Sequence, residues 1–353
     1  NDEITVFGGT NTLTSGDGND TVSLSGGTNI VRSGAGNDLI IVSGEVADLD
    51  LRQLDGGPGQ DQLKIMSDGN IKVPTATNFE TVSIEDTVHQ SLDFSFSSSI
   101  NNIELLSGTT TDGATIITTL GTGQALTLDS ITDGDTTAAS LADGGIRINQ
   151  ANSITDLNLT LDDIGPNSAV TNQNVFLDLA GTGVHTANIT SANDSFVVLE
   201  NSGAALTTLN LTGSGSLGIM STLADTITTV TGASSSANLT FSSGGGDDTI
   251  TTGSGNDTIT LTGGSNNVNS GDGNDTINLS TGNDTVNTGA GDDNVNANAG
   301  TNNVTTGDND DQVTINGGAN TVNTGANNDQ VNISAGNNNV NTESGNDQIT
   351  ISG

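Results

Sequence analysis

Gly253-Ser254-Gly255-Asn256-Asp257-Thr258-Ile259-Thr260-Leu261 is followed, 18 residues on, by Gly271-Asp272-Gly273-Asn274-Asp275-Thr276-Ile277-Asn278-Leu279. Each stretch is a glycine-rich polar turn closed by aspartate, then a short alternation of polar and aliphatic residues. Working outward, an aliphatic residue recurs every nine positions from Ile250 and Ile259 through Val268, Ile277, Val286, Val295, Val304, Val313, Val322, Val331 and Val340 to Ile349. The same ladder opens the chain at Ile4, Leu13, Val22, Val31 and Ile40. In a helix, residues nine apart fall on opposite faces, because nine residues make about two and a half turns. A short strand plus a tight turn restores the same orientation after every unit, so the pattern predicts a solenoid.

A second period of 18 lies on top of the first. Asp257, Asp275, Asp293, Asp311, Asp329 and Asp347 are 18 apart, as are Asp2, Asp20 and Asp38. The alternate turns carry Asn11 and Asn29, then Asn266, Asn302, Asn320 and Asn338, with Asp248 and Asp284 in the same series. One coil is therefore two nine-residue units, with one acidic edge and one mostly neutral edge. The inward positions agree. Leu261, Leu279, Ile315, Ile333 and Ile351 follow the Asp turns, whereas Ser270, Thr288, Thr306, Thr324 and Thr342 fill the equivalent slot after the Asn turns. The spacing predicts a thin core with a large layer facing a small one.

These units resemble the RTX, or hemolysin-type, nonapeptide G-G-x-G-x-D-x-U-x, whose fullest copy here is Gly56-Gly57-Pro58-Gly59-Gln60-Asp61-Gln62-Leu63. The resemblance covers residues 1–63 and 244–353. It implies an all-β fold, a right-handed parallel β-solenoid (an RTX β-roll), with several Ca²⁺ ions held between successive turns on one edge. It implies as metal ligands Asp2, Asp20, Asp38, Asp61, Asp257, Asp275, Asp293, Asp311, Asp329 and Asp347, together with turn carbonyls. Electrostatics supports this separately. Coils stacked ~4.8 Å apart put like carboxylates over one another, a repulsion of roughly 3 kcal/mol per pair at an effective dielectric near 20. A hard dication with oxygen ligands relieves it. Glycine suits turns that need φ > 0, and Asn309 and Asn327, which stand in its place, are the next best choice there. The Asn edge, being neutral, is expected to hold no calcium. The turn Thr342-Glu343-Ser344-Gly345 lacks its leading glycine.

Composition narrows the partners. The 353 residues include 42 acidic and 5 basic ones, a formal charge of −37, which repels nucleic acid and anionic membranes. Cysteine, tryptophan and tyrosine are absent and the two histidines, His89 and His185, are far apart, which argues against a zinc centre and against a Ser-His-Asp constellation. The chain is not expected to be an enzyme. Gly213-Ser214-Gly215-Ser216-Leu217-Gly218 matches G-x-G-x-x-G, but no helix pattern and no acidic residue at the required distance follow it.

Residues 64–243 lose the nonapeptide but keep alternating runs: Leu126-Thr127-Leu128, Leu157 to Leu161, Val175 to Leu179 and Leu206 to Leu211. These predict a less regular β-helix with wider coils, with a β-sandwich as the alternative. Phe79-Glu80-Thr81-Val82-Ser83-Ile84 is similar to a segment after RTX turns in calcium-dependent bacterial surface-layer proteins. The expected function is a secreted, extracellular, calcium-dependent building block of a bacterial surface layer or filament, exported by type I secretion. The alternative is the rigid stalk of a large RTX adhesin. The secretion domain of an RTX protease or lipase is a third class, and ice binding is disfavoured by the mixed slot Ser254, Asp272, Ala290, Asp308, Ala326, Ser344. Expected partners are calcium and further copies of the chain, since Ser352-Gly353 followed by Asn1-Asp2 recreates a turn like Ser344 to Asp347. Cell-surface polysaccharide would be reached only through regions outside this chain.

Overall fold

The structure, a computed structural model, describes the chain except residues 44–52, 67–70, 73–75, 86–90, 94–99, 111–113, 121–122, 134–144, 151–154, 165–174, 181, 202, 204 and 353. Its described residues contain strands and turns and no helix. The chain divides into two compact units, residues 1–184 with 196–205, and residues 185–195 with 206–353. Both are parallel β-solenoids.

In the second unit the 18-residue period becomes the register itself. Thr249–Thr251, Asn267–Asn269, Thr285–Ala290, Asn303–Asp308, Thr321–Asn323 and Asn339–Asn341 pair in sequence as one parallel sheet. Thr258–Thr260, Thr276–Leu279, Asn294–Ala297, Gln312–Ile315, Gln330–Ile333 and Gln348–Ile351 form the other. Val286 thus lies over Val268 and under Val304. The rungs from Ile250 to Val331 are buried to within 1%. Each removes most of an aliphatic side chain from water, a contribution of about 1.5–3 kcal/mol before entropy is counted.

The small inward layer is more than a space filler. Ser270, Thr288, Thr306 and Thr324 are fully buried. Thr252 Oγ1 donates to Ser270 O at 2.8 Å, Thr288 Oγ1 to Thr306 O at 3.0 Å and Thr306 Oγ1 to Thr324 O at 3.2 Å. In the first unit Ser15 Oγ donates to Ser33 O and Ser33 Oγ to Gly56 O, both at 2.7 Å. A hydroxyl ladder therefore runs along one inner wall and ties each coil to the next.

The first unit starts with the same register: Glu3–Val6, Thr21–Ser25, Leu39–Ser43 and Gln62–Met66 stack in parallel. The sheet continues through Thr81–Glu85, Asn102–Thr110, Ala125–Asp133 and Asp156–Asp162. The coils widen along it: Glu3 pairs with Thr21, Leu39 with Gln62 and Ala125 with Asn158. A sandwich would require antiparallel pairing, so the wider β-helix is the correct reading of these strands. Val175–Leu179 departs from simple alternation, because all five residues are buried. Its outward Asp178 is fully buried and pairs with Arg147, whose Nε lies 2.8 Å from Asp178 Oδ2. Gly213 ends the strand Thr208–Gly213, and the strand Leu217–Thr222 follows; a nucleotide-binding turn would need a helix there.

Coil stacking also sets the glycine columns. A Cβ on Gly289 would sit 1.9 Å from Gly271 O, and one on Gly307 1.8 Å from Gly289 O. Gly289 and Gly307 also have φ of 102° and 109°, so alanine there meets both a collision and a disfavoured backbone. Gly289→Ala is expected to destabilise the calcium-loaded protein by at least about 3 kcal/mol, read as a large drop in thermal midpoint by circular dichroism. An unchanged midpoint would contradict this packing.

Candidate metal-binding edge

The turns that close on aspartate place a carboxylate at one position of every coil. Asp2, Asp20, Asp38 and Asp61 form one column in the first unit; Asp257, Asp275, Asp293, Asp311, Asp329 and Asp347 form one in the second. Apart from Asp2, which is exposed, and Asp347, which is half-buried, all are at most 2% exposed. Each carboxylate caps the backbone of the coil before it. Asp20 N donates to Asp38 Oδ1 at 2.8 Å and Asp38 N to Asp61 Oδ1 at 2.8 Å. In the second unit Asp257 N donates to Asp275 Oδ1, Asp275 N to Asp293 Oδ1 and Asp293 N to Asp311 Oδ1, all at 2.8 Å. Asp311 and Asp329 continue the series at 3.0 Å.

The preceding residue works in the opposite direction. Asn256 Oδ1 accepts from Asn274 N at 2.8 Å, Asn274 Oδ1 from Asp292 N at 3.0 Å and Asp310 Oδ1 from Asn328 N at 2.8 Å. Adjacent side chains thus staple a coil both to its predecessor and to its successor. In the degenerate turn Glu343 takes φ of 52°, while Asn309 and Asn327 take 90° and 89°. The turn shape therefore persists where glycine is lost.

One oxygen of each aspartate makes these bonds; the other makes none. Oδ2 of Asp20, Asp38, Asp61, Asp257, Asp275, Asp293, Asp311 and Asp329 is buried without a hydrogen-bond partner. The Asn edge is an internal control for this arrangement. Asn266 Oδ1 accepts from Asp248 N at 2.9 Å, the same cap, while its Nδ2 donates to Gly263 O at 3.1 Å. Asn320 and Asn338 repeat the amide-to-turn-carbonyl bond at 2.8 and 3.1 Å. An amide thus meets the needs of the fold at this position, apart from Asn302 Nδ2, which is unpartnered. A carboxylate puts an unpaired, charged oxygen where the amide puts a donor. Buried ionic oxygens without partners are expensive, and a cation among the turn carbonyls supplies what is missing. The donor set, carboxylate and carbonyl oxygen only, fits Ca²⁺. Among the described residues no three His, Cys, Asp or Glu side chains converge as a ligand group. With carboxylates strung one per coil, an ion here would have to draw most of its ligands from backbone carbonyls.

Burial dominates the electrostatics of the column. It pushes Asp275 and Asp311 up to about 7, where the charges of the neighbouring aspartates also raise them. Asp257 is pushed up to about 6 by burial, and Asp61 to about 6 by burial and by Asp38, Glu80 and Asp55. Asp293 and Asp329 are raised for the same first reason. The ladder hydroxyls of Ser270, Thr288, Thr306 and Thr324 oppose the rise at the aspartate five positions on. Asp20 is lowered, chiefly by the N–H of Asp2.

Three features were not read from the sequence. Glu80 continues the first column, its Oε2 accepting from Asp61 N at 2.7 Å. Asp248 and Asp284, which the spacing does place in the amide column, leave two and one carboxyl oxygens buried and unpartnered, which the spacing does not show. The hydroxyl ladder flanks the carboxylates. Glu80 could have been found from the Thr-Val-Ser-Ile alternation after it, which matches Gln62-Leu63-Lys64-Ile65. His185 is exposed and serves through its carbonyl, which accepts from Thr207 and Thr208; His89 lies outside the described residues.

Residues 5–40, 242–277, 278–313 and 314–349 match, as four copies, the family model of the RTX calcium-binding nonapeptide repeat. The matched residues leave out Gly56 to Leu63, although Asp61 stands in the column. No curated protein and no solved structure matches the chain.

Raised aspartate pKa values make the metal-free fold most stable below the unfolded aspartate pKa of about 4 and progressively weaker as pH rises through 6 to 7. Without metal, the thermal midpoint should therefore climb when pH is lowered from 8 to 4. Asp311→Asn should raise it by about 1–3 kcal/mol of stability in chelator, yet reduce the gain on adding calcium. Midpoints measured with chelator and with calcium check both signs, and a variant weaker in chelator would defeat the reading of the amide edge.

Proposed function

On the premise that this chain is an RTX repeat protein, we propose that it is an extracellular, calcium-assembled structural protein, a building block of a bacterial surface layer or filament. RTX nonapeptide repeats bind calcium, and the repeat solenoid is a structural fold. The observation that carries the reading is the row of buried aspartate Oδ2 atoms without partners, one per coil, beside an amide edge that needs no ion. Calcium removes the repulsion along the column and turns a stack of weakly cored coils into a stiff rod. RTX repeats are typical of proteins exported by type I secretion, which supports placement outside the cell. The domain reading of two RTX rolls, 1–63 and 244–353, flanking an irregular β-helix over 64–243 belongs to the same proposal. So does self-association of copies.

The same stiffness suits the stalk of a large adhesin. The layer or filament is preferred because the outer faces of the second unit carry repeated amide ladders able to pair with like surfaces. Asn287 Nδ2 donates to Asn269 Oδ1 at 2.8 Å, and Gln312 Nε2 to Gln330 Oε1 at 2.8 Å.

Calorimetric titration of chelator-stripped protein should register calcium uptake with a gain of β-sheet signal, and electron microscopy in calcium should show sheets or fibres that dissolve in chelator. Absence of uptake would end the proposal; isolated rods in saturating calcium would leave the stalk in place of the lattice.

A further inference from the structure

The first acidic column does not stop at the last nonapeptide. Asp61 and Glu80 hold one another through the backbone: Asp61 N donates to Glu80 Oε2 at 2.7 Å, while Asp61 O accepts from Glu80 N at 3.1 Å and Thr81 N at 3.3 Å. Glu80 therefore occupies the column position of the next coil, in a turn with no glycine pair. Asn78 supplies the left-handed residue, with φ of 59°. The fully buried Phe79 anchors the turn to the core, and Asn78 Nδ2 ties it to Asp55 Oδ1 at 2.7 Å. Glu80 follows Asp61 by 19 positions instead of 18, and its extra methylene lets the carboxylate reach the same cap.

As an acceptor alone, a glutamine would serve, as asparagine does on the neutral edge. The surroundings ask for more. Asp61 is 1% exposed and its Oδ2 has no hydrogen-bond partner. The carbonyl oxygen of Asn78 and the carboxyl carbon of Asp61 lie 2.2 and 3.0 Å from the point a Cβ on Gly56 would occupy. The missing side chain of Gly56 thus lets the Asn78 carbonyl and the Asp61 side chain, whose Cβ lies 2.7 Å from the same point, pack together there, with the Glu80 carboxylate bound to the backbone N–H of that aspartate.

We infer that Asp61, Glu80 and the Asn78 carbonyl form a terminal calcium site, outside the nonapeptide pattern, that locks the wider coils of the first unit onto its repeat region. Two carboxylates and a carbonyl on one ion would join the strand Gln62–Met66 to the strand Thr81–Glu85 at the coil that follows the last nonapeptide. The inference rests on the proposed calcium-binding function.

Calorimetric calcium titration of the full chain tests it, with Glu80→Gln keeping the cap on Asp61 N while removing the charge. Glu80→Gln is expected to bind one ion fewer than the wild type with its circular dichroism in calcium unchanged. The double variant with Asp61→Asn should lose no more ions than Asp61→Asn alone, because both carboxylates face one ion. An unchanged ion count in Glu80→Gln, or additive losses in the double variant, would overturn the site while leaving the column intact. If Glu80→Gln loses its sheet signal in calcium, an unchanged count in Asp61→Asn overturns it instead. No uptake by the wild type would instead defeat the proposed function itself.

Discussion

Parallel stacking at a fixed rise places each residue directly over its counterpart in the next coil, and everything else here follows from that. In a helix bundle or sandwich, a charged residue can be offset from its likeness. In an 18-residue solenoid it cannot, because the register that puts Val286 over Val268 also aligns the aspartates, asparagines and glycines of successive turns. Aliphatic over aliphatic is favourable, and amide over amide is self-satisfying. Glycine over glycine avoids the collision of a Cβ with the carbonyl of the coil before it. Carboxylate over carboxylate is the stacked column in which a buried oxygen goes unsatisfied coil after coil, where the amide column does so at Asp248, Asp284 and the Asn302 amide.

The two edges of the second unit make that last point without any external comparison. They share the backbone cap and its spacing; the Asp turns hold two left-handed glycines, as at Gly271 and Gly273, where the Asn turns hold one, as at Gly264, and the atom beyond the cap is a carboxylate oxygen instead of an amide nitrogen. Had the fold been the sole requirement, Asn would serve on both. The aspartates keep the cap and add a burial cost that raises their pKa toward neutrality. Such a cost at a buried carboxylate is what a binding role for these aspartates, proposed above for calcium, would account for.

Most of this was legible in the sequence because stacking converts spatial repetition into sequence repetition. The rungs, the acidic and neutral columns and the left-handed asparagines at 309 and 327 follow from a period of nine and one of 18. Legibility falls where the coils widen. Between Ala125 and Asn158 no G-x-G-x-D turn marks the corner and the strand spacing is irregular, so alternation identifies strands without setting the coil length. Val175–Leu179 is covered on both faces, which an alternating pattern does not reveal. The inward Ser and Thr read correctly as small, but their hydroxyl ladder depends on the carbonyl direction of the following coil. Glu80 was hidden because its turn uses Asn78 and Phe79 in place of glycines.

An unsatisfied column also gives the fold a condition. A chain with asparagine on both edges would stack in any compartment, including the one in which it is made. With aspartate on one edge, buried oxygens and like charges oppose stacking, and a divalent ion that relieved them would link the stability of the coils along each acidic column to the same external concentration. An ion held between two coils would add its binding free energy to their interface, the term on which a quasi-one-dimensional protein depends. A structural element meant to be soluble and unstructured in one environment and rigid in another needs a switch distributed along its whole length. A carboxylate repeated along an acidic column is such a switch, and it uses the same turns that close those coils.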